Sequence, residues 1–165
     1  MKKNLIIIII LLLTFSACGP TPKEAAEYNT KLALYHNQVV NQINVLEESF
    51  KNFDTVKINI EIEKTKELTA KNYNKILKIG ALDGDSSLYR ADSVYFKRCF
   101  ELLSNEYKMM YNLYRLPDEE YGEEGEFKFK KLQFEKDRKF TQVYEQYLDA
   151  QEKFALKYSL VLKDN

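Results

Sequence analysis

Three groups of side chains in this sequence have the makings of chemistry, and each can be judged by its spacing. His36 is the single histidine. A Cys-x-x-Cys-His haem attachment is absent, and a di-iron bundle needs Glu-x-x-His pairs, whereas Ala33 stands where the glutamate of such a pair would be. His36 sits beside an apolar stripe and is expected to be an ordinary helix-edge residue. Cys99 lies between Tyr95 and Leu102 at helical spacing, on an apolar face, so a buried and inert thiol is expected. Asp118, Glu119, Glu120, Glu123 and Glu124 crowd the stretch 117–125 with the carboxylates that hard cations want. Their spacing matches no EF-hand, and a solvated connector is expected. No Ser/His/Asp, Cys/His or phosphate-cradling glycine arrangement is present, so no catalytic, cofactor-binding or metal-ligating residue is assigned. The reading is non-enzymatic.

The second cysteine, Cys18, has a different context. Lys2 and Lys3 precede an apolar run from Leu5 to Leu13, and Phe15-Ser16-Ala17 leads into the cysteine. A run of that length makes roughly 14 Å of helix, about half of a bilayer core, so it is a targeting signal and not a span. Phe15-Ser16-Ala17-Cys18 resembles the lipobox of bacterial lipoproteins, with Phe15 where leucine is usual. The resemblance implies that residues 1–17 are a cleaved signal peptide, that Cys18 is the lipid attachment site, and that residues 18–22 form a short tether. Two or three acyl chains, at about 0.8 kcal/mol per buried CH₂, make a durable membrane anchor. Gly19 replaces the aspartate that retains lipoproteins in the inner membrane, and no acidic export run follows. The implied place is the outer membrane, facing the periplasm.

The remainder, 18–165, fits one domain of ordinary size. Loss of Lys2 and Lys3 with the leader leaves 23 basic against 25 acidic residues, so no charge excess argues for nucleic acid. The 12 tyrosines and 10 phenylalanines supply a core, while three prolines and five glycines favour long helices over a many-turned sheet. Cys99 has no partner once Cys18 is lipidated, so no disulfide is expected.

Thr21-Pro22-Lys23-Glu24 is a capping box with proline at the first helical position. From it Tyr28, Leu32, Tyr35, Val39, Ile43, Leu46, Phe50 and Phe53 recur at steps of three and four, with Glu47 and Lys51 as a flanking pair. Asp54 is placed to cap a second helix. Its opening, Val56 to Ile62, alternates with period two and is open to a strand, but no second alternating run exists to pair with it, so helix is favoured. Gly80 is the expected end and Leu82–Asp85 a turn. A third helix is expected from Leu88 to Leu116, stopped by Pro117. The fourth carries Phe129, Leu132, Phe140, Val143, Tyr147, Ala150, Phe154, Tyr158 and Val161, interrupted at Lys136. The expected fold over 23–165 is therefore all-α, an antiparallel up-down-up-down four-helix bundle with long helices.

With its lipobox, its Glu24-Ala-Ala-Glu-Tyr-Asn helix start and its Gly84-Asp-Ser-Ser-Leu-Tyr-Arg-Ala junction, the chain resembles small helical-bundle lipoproteins of Bacteroidetes and spirochaetes. The resemblance covers architecture and carries over no binding residue. An envelope protein partner is the expectation, with Tyr111, Tyr114 and Tyr121 as a candidate partner-facing aromatic patch. The alternative is a small apolar ligand or lipid held within the bundle along the aromatic stripe of the last helix.

Overall fold

The computed structural model of the chain describes residues 19–161. The leader and Cys18 lie outside the described residues. The chain folds into helices α1 (Pro22–Lys51), α2 (Thr55–Ile79), α3 (Ser87–Ser104), α4 (Glu106–Tyr114) and α5 (Asp118–Lys157), packed against one another. Among the described residues there is no strand, only an isolated bridge between Leu82 and Asp85. No helix among them is long and apolar enough to cross a membrane.

The first two helices start with the expected capping chemistry. The Thr21 side chain accepts from the Glu24 N–H at 3.2 Å while the Glu24 carboxylate accepts from the Thr21 N–H at 2.8 Å, closing the expected box. Asp54 accepts from the Lys57 N–H at 2.9 Å, and the segment from Val56 to Ile62 is helix throughout. Gly80 ends α2 with a backbone φ of 67°, and its carbonyl accepts from the Tyr28 hydroxyl at 2.7 Å. Asp85, through Oδ1, accepts from the Ser87 N–H at 3.0 Å at the start of α3.

Two expectations of helix length need correction. The third helix is not continuous to Leu116, because the backbone leaves the helical region at Asn105 (φ −111°, ψ −83°), which divides α3 from α4. The acidic stretch 117–125 is not a loop. Pro117 caps α5, its carbonyl accepts from the N–H groups of Glu120 and Tyr121 at 2.9 Å, and Asp118, Glu119 and Glu120 sit in the first turn, where the helix dipole favours negative charge. Glu124 and Glu126 then pair with Lys128 and Lys130 one turn on. A kink survives at Gly122, whose φ of 40° suits glycine. At Gly125 the Tyr121 ring lies so close that an added Cβ would meet it at 2.7 Å.

The core forms two clusters joined by Phe140. One gathers Tyr28, Leu32, Val39, Ile76, Leu88, Tyr95, Phe96, Val143, Tyr147 and Phe154; the other gathers Leu46, Phe50, Ile58, Ile62, Leu102, Leu103, Tyr107, Met110 and Phe129. Each fully buried aliphatic or aromatic side chain here contributes about 1.5–3 kcal/mol of transfer free energy. The seam of α2 is partly polar: Ile58, Ile62, Thr65, Thr69, Asn72 and Ile76 are buried in succession. Thr65 and Thr69 donate to the carbonyls one turn back, and Asn72 donates to the Tyr35 carbonyl at 3.1 Å and to Gln38 at 2.9 Å. These bonds offset the cost of burying polar groups.

Candidate functional site

Chemistry-bearing side chains collect in three places, two buried inside the bundle and one open at its end. The first is built around His36. The apolar stripe of α1 runs Leu32, His36, Val39, so histidine and not Tyr35 holds the inward position, and His36 is 2% exposed. The expected helix-edge residue is thus a core residue. It lies inward because the position four beyond Leu32 and three before Val39 points to the bundle axis whatever occupies it. Tyr147 of α5 stacks on the ring at 3.9 Å and Tyr95 of α3 lies 4.0 Å away, centroid to centroid. Nδ1 lies 3.4 Å from Oδ1 of Asp92, which is itself fully buried.

Burial pushes the Asp92 carboxyl above its ordinary range, opposed by the neighbouring imidazole. Burial, with Cys99 and Tyr144 beside it, likewise raises the Tyr95 hydroxyl. The Cys99 thiol is 1% exposed and burial pushes it up to about 12, against the pull of the Tyr95 hydroxyl, so thiolate chemistry at neutral pH is closed to it. His36 Nε2 and Asp92 Oδ2 are buried without a hydrogen-bond partner among the described residues, and the Tyr95 hydroxyl has only the weakly bonding Cys99 thiol beside it. Each such atom costs about 1–3 kcal/mol. The cluster is sealed by packing, with His36, Asp92, Tyr95 and Cys99 each at most 2% exposed.

A second buried charge lies nearer the other cluster. Lys136, where apolar periodicity fails in α5, is 3% exposed and reaches Glu47 of α1, which also accepts from the Tyr107 hydroxyl of α4. The ammonium lies 5.0 Å over the Tyr107 ring and 3.0 Å from Asp137. Glu47 therefore does not serve Lys51, which pairs instead with Glu48 at 3.4 Å. Lys139 and Glu106 make a neighbouring bridge.

The open place is the end formed by the α1–α2 and α4–α5 turns. Phe53 is 70% exposed and adopts a φ of 54°, a left-handed conformation that costs a residue with a Cβ about 1–2 kcal/mol. Its ring lies 5.0 Å from that of Tyr114. Phe53, Thr55, Tyr114, Leu116, Asp118 and Tyr121 surround a concavity of about 210 Å³. Leu116 also borders a groove of about 630 Å³ between α4 and α5, with Met109, Leu113 and Leu132 along its floor.

Comparison with models of protein families, with curated proteins and with solved structures finds no match to this chain.

The three tyrosines marked in the sequence do not share one face. Tyr111 is 8% exposed and packs in the core, Tyr114 stacks on Phe129 at 4.4 Å with one edge at the concavity, and Tyr121 covers Gly125 at its rim. Sequence spacing missed Phe53 as a surface residue because it continues the α1 stripe on paper; the helix ends two residues earlier, at Lys51. The aromatic stripe of α5 is filled by protein, with Tyr147 on His36 and Phe154 5.6 Å from Tyr28. Cys18 falls outside the described residues. Among those described, no three His, Cys, Asp or Glu side chains converge as a metal set.

Proposed function

We propose that this chain is a lipid-anchored bacterial envelope protein of the outer membrane, tethered through Cys18 and facing the periplasm, and that its bundle is a non-enzymatic module for docking a protein partner or supporting an assembly. The observation that carries the docking reading is Phe53: a large apolar side chain held in solvent at a backbone cost, beside a concavity of mixed polar and apolar lining. Strain of this kind persists where the surroundings hold it, and it gathers at recognition sites. The sealing of His36 and Cys99 away from solvent supports a non-enzymatic role.

The arrangement we propose is up-down-up-down, with α3 and α4 together as the third leg. It is supported by the reversed order of partners: Tyr28 with Gly80, Tyr35 with Asn72 and Gln42 with Glu61 between α1 and α2. The same reversal relates α1 to α5, through Asn29 with Gln151 and Glu47 with Lys136. In this arrangement Phe53 stands at the end remote from Cys18, about 45 Å along the 30 residues of α1.

Replacing Cys18 with alanine should move the protein from the membrane to the soluble fraction with its helical content intact. Photo-crosslinking in cells from positions 53 and 116 should give one recurring protein adduct that a probe at exposed Lys71 does not give. Equal adducts from all three positions would remove the docking reading. The alternative, a small apolar ligand, has the α4–α5 groove in its favour rather than the bundle interior; a co-purifying lipid lost on Leu113→Gln would support it.

A further inference from the structure

The outward face of α5 carries one continuous exposed row at alternating steps of four and three: Phe127, Lys131, Phe134, Arg138, Thr141, Glu145, Leu148 and Glu152. Phe127 and Phe134 are each 69% exposed, and Leu148 is also exposed. The row begins after the Gly122 kink and spans about 38 Å of helix. It is a heptad seam, with Phe127, Phe134, Thr141 and Leu148 seven apart and a charged residue four beyond each.

The charges are segregated. Lys131 and Arg138 occupy the first half, Glu145 and Glu152 the second. None of these four makes an ion pair among the described residues. Their neighbours on α5 do: Glu124 with Lys128, Glu126 with Lys130, Lys139 with Glu106, and Asp149 with Lys153. The seam thus presents unneutralised positive charge at one end and negative charge at the other.

We propose that this seam is a self-association surface, and that its occupant is α5 of a second copy of this chain, packed antiparallel about a two-fold axis at Thr141. The register follows from the sequence alone. With Thr141 meeting Thr141 of the second copy, Phe134 falls opposite the second copy's Leu148, and Arg138 and Lys131 come within one residue of lying opposite its Glu145 and its Glu152. Every charge on the seam meets its opposite, and the smallest side chain lies at the crossing, where the helices come closest. Parallel pairing is selected against, because it sets Lys131, Arg138, Glu145 and Glu152 each against itself. An isologous contact of this kind closes after two copies. A single helix pair is a small interface, so an association in the micromolar range is expected in solution.

The test uses the full chain purified in detergent, with sedimentation measured over a range of concentrations. Wild type should be a salt-sensitive monomer–dimer equilibrium. Arg138→Glu sets glutamate against Glu145 of the second copy and should weaken association at least tenfold; Arg138→Glu with Glu145→Arg restores opposite charges and should bring affinity back to within about threefold. Both sites are exposed, and far-ultraviolet circular dichroism confirms that each variant is folded. Independently, Thr141→Cys should oxidise to a disulfide-linked dimer, since Cys99 is buried, whereas Asp149→Cys should not. A chain that stays monomeric at several hundred micromolar, a dimer that ignores Arg138→Glu, or a charge swap that fails to rescue would overturn the proposal. Antiparallel pairing sets the Cys18 end of one copy beside the Phe53 end of the other, so with both anchors in one bilayer the helices of the dimer lie along the membrane surface. Sedimentation reads the seam and the position-116 adduct reads the Phe53 end, so failure of one is distinguishable from failure of the other.

Discussion

His36 Nδ1 and Asp92 Oδ1 face each other at 3.4 Å across the α1–α3 contact, buried among the rings of Tyr95 and Tyr147. The folded value of Asp92 lies above its unfolded one, so its contribution is full below about pH 4 and is lost as pH rises through the folded value. Asp92→Asn removes that dependence. Urea unfolding between pH 4 and 8 should show wild type losing stability relative to Asp92→Asn as pH rises. Asp92→Leu, which leaves His36 with no polar neighbour, should cost about 1–3 kcal/mol.

Lys136 offers a sharper mutational contrast. Lys136→Met strands Glu47, which is only partly exposed, and should cost about 2–4 kcal/mol in chemical denaturation. Adding Glu47→Leu removes the stranded charge as well, and should recover at least half of that loss. A double variant no better than the single one would show that the pair is not what holds α1 to α5 at this level.

Acid sensitivity has a separate source at the opposite end of the bundle. Burial works against ionisation of Asp85, but Lys157, the Ser87 N–H and hydroxyl, and the Tyr158 hydroxyl together hold its carboxylate well below the usual range. A depressed folded value means stability present above about pH 4 and lost as pH falls through the folded value. Thermal unfolding followed from pH 5 down to pH 2 should therefore fall less steeply for Asp85→Asn than for wild type. At neutral pH the variant should be weaker by about 1–2 kcal/mol, the size of a charge-assisted hydrogen bond whose lysine is half in water.

Much of this fold is legible in the residues, and the parts that are not share a cause. Apolar periodicity with caps at Thr21 and Asp54 places the helices, because burial and end chemistry act on local sequence. It fails where polar residues occupy inward positions. His36, Thr65, Thr69, Asn72, Asp92 and Lys136 are all buried, and a pattern that counts only apolar side chains passes over each of them. The spacing itself is the signal that could have found them: Ile62, Thr65, Thr69, Asn72 and Ile76 keep steps of three and four without a break. The run 117–125 departs from its loop-like composition for another reason. Two glycines and a proline suggest a loop, but proline is tolerated at a helix start and three carboxylates in the first turn favour one. Phe53 was out of reach because its exposure depends on where α1 stops.

The central claim is that the chain docks a partner through the end that displays Phe53, and Phe53→Gly tests it most directly. Glycine adopts the left-handed conformation freely, so the variant should be as stable as wild type or up to about 1 kcal/mol more so. The account predicts that stability is kept while the adduct formed from a photo-crosslinker at position 116 is lost. An adduct that persists undiminished in the folded Phe53→Gly variant would contradict it.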